Sequence, residues 1–120
     1  MTNKDRLAIE LLHKSENGIY AFSLSGNVDL DAAQGLNGLA DACVMQGVNR
    51  IILDLAGIRE LTAPGLGAFF EFSEKISAIG GRLIFVNVPS KVKKFFNLHD
   101  VMQHFTLISS FEKALKELSS

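Results

Sequence analysis

Three histidines, one cysteine and a glycine-rich turn are the groups in this chain best suited to chemistry, and their spacing limits what they can do. His13, His99 and His104 have no cysteine or carboxylate partners at metal-ligand spacing, so no metal site is expected. His99 and His104 lie close to Asp100, which leaves a local pair open; otherwise all three read as surface histidines. Cys43 is alone and cannot form an internal disulfide. It falls in line with Leu36, Leu39 and Ala40 on one helical face, the setting of a buried thiol. No serine lies in a G-x-S-x-G turn, and no nucleophile stands beside a base, so catalysis has no support and a non-enzyme is expected. No cofactor is implied either. Gly65-Leu66-Gly67 lacks the third glycine of a dinucleotide fingerprint and the Gly-Lys-Ser/Thr of a P-loop.

The segment from Ile51 to Gly67 is the informative one: an apolar strand, a short loop, and a helix whose first turn carries Pro64, Gly65 and Gly67. Glycines there let another backbone approach closely, and the free amides of a helix start favour an anionic group. A plain tight strand-to-helix turn accounts for the same residues. Pro64 disfavours an α conformation at Ala63, which places Ala63 at the N-cap, Pro64 at the first helical position and Thr62 just outside the helix. Leu66 and Phe70 fall to one side of the Phe69, Phe72, Ile76 and Ile79 stripe. They either form the apolar centre of a contact patch or complete the core.

These residues need a scaffold, and the hydrophobic pattern supplies one. The chain has 120 residues, 48% hydrophobic and 21% charged, which suits one packed domain spanning 1–120. Leu7 to Leu12 and Ile19 to Leu24 flank a turn-forming cluster, Ser15 to Gly18, and predict a hairpin. Asp31 and Gln34 fit a capping box for a helix from Ala32 to Met45, closed by Gly47. Arg50 to Leu55 predicts a strand buried on both faces, Ala56 to Pro64 a loop, and a second helix ends at Gly80-Gly81. Arg82 to Val88 is a further strand. Ser90 then caps a helix with Val92, Phe95, Phe96 and Leu98 inward. Phe105 to Ile108 is a last short strand, and Ser109 with Glu112 starts a terminal helix. The order β-β-α-β-α-β-α-β-α implies an α/β fold with a mixed, mostly parallel sheet of four or five strands and about four helices.

Charge and hydropathy exclude other classes. The net charge is −1 with no long basic block, so no nucleic-acid partner is expected. Lys91, Lys93 and Lys94 interleave with Val92, Phe95 and Phe96, as on an amphipathic helix with its charges in water. No apolar run approaches the roughly 20 residues of a membrane span. The start, with Lys4, Asp5 and Arg6, lacks a signal-peptide layout, so no direct membrane insertion and a cytoplasmic location are expected.

The string IILDLAGIRELTAPGLGAFFEF resembles the signature of the STAS family, in which an apolar strand leads through a short loop into a Gly-Leu-Gly helix start. Gly26-Asn27-Val28-Asp29 is similar to the family's Gly-x-Leu-Asp, Gly80 to Asn87 to its Gly-Gly-x-Leu strand, and Val92 to Leu98 to its following helix. The likeness runs through nearly the whole chain in order. It implies a non-catalytic interaction module of the anti-sigma factor antagonist kind, whose partner is an anti-sigma factor or a kinase-like regulatory protein. The alternative within the family is a cytoplasmic accessory subunit of a lipid or anion transport system. A homodimer is compatible with either. The implied binding surface comprises Asp29, Thr62, Ala63, Pro64, Gly65, Leu66, Gly67 and Phe70. Antagonists carry a phosphorylated serine or threonine two residues before the first glycine of Gly-Leu-Gly; here that residue is Ala63, and Thr62 is the only hydroxyl left in the loop. The usual phospho-switch therefore does not carry over, and Thr62 is the remaining candidate for phosphorylation.

Overall fold

A computed structural model describes residues 5–119; Lys4 of the N-terminal pattern lies outside them. Five strands, β1 (Ala8–Lys14), β2 (Ile19–Val28), β3 (Arg50–Leu61), β4 (Arg82–Val86) and β5 (Thr106–Ile108), form one sheet in sequential order. Four helices accompany them: α1 (Leu30–Met45), α2 (Ala63–Ala78), α3 (Ser90–Leu98) and α4 (Phe111–Ser119). β1 pairs antiparallel with β2, and the remaining neighbours are parallel. This is the mixed, mostly parallel α/β sheet that the alternating pattern predicts.

Sequential strand order has a consequence. Right-handed crossovers that all step in one direction place their helices on one face of the sheet. α1, α2 and α3 accordingly share a face, and the large core between them and the sheet contains Leu36, Leu53, Phe69, Phe72, Phe85 and Phe96. α4 covers the other face through Ala114 and Leu118, packed on Ile19, Ala21, Ile52, Ile84 and Val86. β3 and β4 are therefore apolar on both sides, which is why RIILDL and RLIFV read as continuous apolar runs. Phe69 and Phe96 both pack on Phe85, with ring centroids 5.3 and 6.0 Å away. Cys43 is buried, and desolvation pushes its thiol pKa up from the ordinary value.

Several element ends differ from the pattern. β2 runs to Val28, and β3 runs to Leu61 where a loop was expected, because the two tips pair with each other from Ser25↔Gly57 to Val28↔Leu61. β1 starts at Ala8 and extends to Lys14. β4 stops at Val86, where Asn87 takes a left-handed conformation with φ 53°. The caps shift as well. α1 starts at Leu30 on Asp29 in place of Asp31, and α3 has Pro89 at its N-cap with no side-chain cap bond in place of Ser90. Ser110, not Ser109, caps α4, its Oγ accepting from Lys113 N at 3.2 Å. Leu98 points outward with 81% exposure, Leu39 is half-buried, and Ile79 lies past the end of α2 at its C-cap. Met102–His104 form an unexpected 3₁₀ turn before β5.

Candidate partner-binding surface

The site begins where β2 and β3 end side by side. Val28 pairs with Leu61, so the next residues, Asp29 and Thr62, open two neighbouring helices together. Asp29 caps α1, with its carboxylate accepting from Ala32 N at 3.1 Å. Thr62 is the N-cap of α2, which corrects the expected placement of Ala63 at the cap and Thr62 outside the helix. The reason is local bonding. Thr62 N–H donates to Val28 O at 3.0 Å and its hydroxyl donates to the same carbonyl at 3.3 Å, holding Thr62 extended at φ −108°, ψ 171°. The same hydroxyl accepts from Gly65 N at 3.4 Å. The helix must then start at Ala63, with Pro64 second, where a missing N–H still costs no helical bond.

Gly65 is buried because the first turn of α2 sits directly on the end of β2. A Cβ there would lie 2.0 Å from Val28 O. The close backbone approach foreseen for this glycine is thus made within the chain. Gly67 is different: it is exposed, and a Cβ on it would meet nothing within 4 Å.

Leu66 is buried in the core and leaves the proposed contact patch. Phe70 is half-buried, its ring edge-on to His104 at 5.2 Å. Ala63 and Pro64 are exposed, Asp29 and Thr62 half-buried. Leu30, which sequence reasoning did not select, is 69% exposed beside Asp29. Its type gave no signal, because a leucine next to an N-cap fits an inward position equally well until the helix phase is known. The exposed residues that follow the two caps are Leu30 in α1 and Ala63, Pro64 and Gly67 in α2.

The other candidate groups lie elsewhere. His13 packs on Phe111 at 5.6 Å and His99 on Phe95 at 4.3 Å, while Asp100 takes the left-handed position that ends α3. His99 and His104 thus rest on phenylalanine rings, and neither forms an ion pair with Asp100. Among the described residues no group of three His, Cys, Asp or Glu side chains could hold a metal ion, and no helix is long and apolar enough to cross a membrane.

Sheet order, helix placement and the paired helix caps define a small α/β module built around one mixed sheet. The sequence profile of the STAS domain matches residues 11–114, and the chain belongs to the STAS domain family. Among solved structures, an anti-sigma factor antagonist from Mycobacterium paratuberculosis superposes with a TM-score of 0.78 at 22% identity, covering 94% of this chain and 96% of its own. The anti-sigma factor antagonist SpoIIAA in its unphosphorylated form gives 0.70 at 19% identity, covering 92% and 96%. The murine anion transporter Slc26a9 gives 0.80 at 14% identity, covering 98% of this chain and 23% of the transporter. At these identities the likeness is one of fold. Comparison with curated proteins finds no match.

Proposed function

We propose that this protein is a non-catalytic, cytoplasmic interaction module that binds an anti-sigma factor or related kinase-like regulatory protein through the surface around Asp29 and Thr62. The observation that carries the reading is Gly67. It weakens an exposed helix turn, no atom of the described chain needs the space, and it lies within one turn of the exposed Ala63 and Pro64. A partner's main chain can approach such a surface where a side chain would block it. Asp29 and Thr62 hold the two helix starts, and Phe70 forms the rim.

In this reading Ala63 removes the family's phospho-acceptor. Any phosphate in the loop is carried by Thr62, whose hydroxyl must first give up its bonds to Val28 O and Gly65 N. The module can act as a monomer or a homodimer, since the surface itself needs no second copy.

Tagged protein isolated from its native cells should retain a kinase-like regulator. Gly67→Arg, which fills the open position with a long side chain, should abolish retention while the melting temperature stays at or above that of the parent. Capture of the regulator by the variant at parental yield would overturn the reading. The fold shared with the Slc26a9 transporter supports a second reading, an accessory subunit of a lipid or anion transport system. In that case the retained protein is a membrane component.

A further inference from the structure

β1 closes one side of the sheet, and no main-chain group among the described residues pairs with its outer edge. The opposite edge, β5, has only three residues, whereas β1 has seven. Most of β1 is exposed, including two large apolar side chains in sequence, Leu11 at 53% and Leu12 at 47%. A long open edge with apolar side chains is a template for another strand unless its charges or its shape forbid pairing.

The shape of β1 is set by a bulge between Leu11 and His13, where the register against β2 slips. Directly opposed residues share a face of the sheet. Ile9 and Leu11, opposite Leu24 and Phe22, therefore lie on the side of the large core, and Glu10, opposite Ser23, lies on the α4 side. Past the bulge His13, opposite Ala21, is on the α4 side with its ring against Phe111, while Lys14, opposite Tyr20, is on the side of the large core. Residues three apart in an unbroken strand face opposite ways. Here Glu10 and His13 face the same way.

We propose that β1 pairs antiparallel with β1 of a second copy of this chain, about a twofold axis between Leu11 and Leu12, joining the two sheets into one. Such an axis, normal to the sheet, keeps the faces of the two copies matched and makes every contact twice. Glu10 then meets His13 of the second copy on one face, Ile9 meets Lys14 on the other, and the leucines at 11 and 12 meet across the axis. The bulge makes this possible, because without it Glu10 and His13 would fall on opposite faces. Charge selects the same arrangement. The acid lies before the axis and His13 and Lys14 after it, so antiparallel pairing sets unlike halves together, whereas parallel pairing in register opposes Glu10 to Glu10 and Lys14 to Lys14. Glu10 takes part in none of the ion pairs between described residues, which leaves its carboxylate for the imidazole of the second copy. The dimer does not depend on the regulatory partner proposed above, and its test uses this chain alone.

Sedimentation equilibrium of the full chain should show a reversible monomer and dimer with a Kd of roughly 10 μM to 1 mM, as one edge contact is small beside a standard interface. In a mixture of isotopically labelled and unlabelled chains, NMR contacts between copies are expected at the methyl groups of Leu11 and Leu12. Glu10→Lys and, separately, His13→Glu should each weaken the dimer roughly tenfold or more, because each sets like charges opposite one another at two places. Both substitutions in one chain rebuild the unlike pair in reverse and should bring the affinity back to within about threefold of the parent. Melting temperatures below the Kd confirm that the variants remain folded. A chain that stays monomeric at about 1 mM, contacts between copies that map away from β1, or a double variant as weak as the single ones would overturn the proposal.

Discussion

Gly65 and Gly67 lie two residues apart in the first turn of α2 and answer to different constraints. Gly65 is fixed by the fold: a methyl group would sit 2.0 Å from Val28 O and 2.8 Å from Val28 Cγ1, forcing α2 off the end of β2. Gly65→Ala should therefore lower stability by about 1–3 kcal/mol, the usual cost of overpacking. At Gly67 the same change meets open space, so Gly67→Ala should raise stability by roughly 0.5–1 kcal/mol through helix propensity. Urea midpoints of the two variants check both signs; a shift in the same direction for both would show that the first turn of α2 is misplaced. The sequence marks both positions as glycine in a helix start, but not which glycine faces its own chain, because that depends on Val28, 37 residues before Gly65. The same long-range packing put Leu66 in the core and Leu30 outside it. Helical spacing alone left Leu66 open and gave Leu30 no signal.

The elements follow the same division between local and distant causes. Their order and type were legible because period and turn chemistry are local: the opening hairpin, the apolar runs of β3 and β4, and the glycines that end α1 and α2 all appear in the chain itself. Gly47 and Gly80 take left-handed conformations with φ 71° and 75°, as their positions after helices suggest. The extension of β3 was not legible, since AGIREL lacks strict alternation and becomes strand through pairing with β2. The α2 cap was missed for the related reason that Val28 O binds Thr62 from another strand. Thr62→Ala should cost about 1 kcal/mol, because Gly65 N loses its cap. Thr62→Ser keeps the hydroxyl and should recover most of that loss. Thermal melts of the pair test the cap, and equal melting temperatures for the alanine variant and the parent would remove Thr62 from this role.

At the scale of the whole molecule, the sheet brings two helix starts together, and on the proposed reading regulation there depends on charge. The family resemblance implies a phosphoryl group at the position of Ala63 that breaks the complex with the partner. Such a group brings roughly −1.5 to −2 charges into the interface, and Ala63 has no oxygen to carry it. A cognate kinase with ATP should therefore leave residue 63 unmodified. Ala63→Asp supplies part of the missing charge. Residue 63 is the first residue of α2 and exposed, so a carboxylate there meets a favourable helix dipole, worth roughly 0.3–1 kcal/mol. The fold should then be retained or slightly stabilised while binding of the regulatory partner falls sharply, as repulsion within an interface requires. Ala63→Asn, similar in size and uncharged, separates charge from bulk and should bind close to the parent. Calorimetric titration of both variants with the captured partner, alongside their melting temperatures, decides the matter. Equal loss of binding in the two would assign the effect to shape, and undiminished binding of Ala63→Asp would place the partner away from this surface.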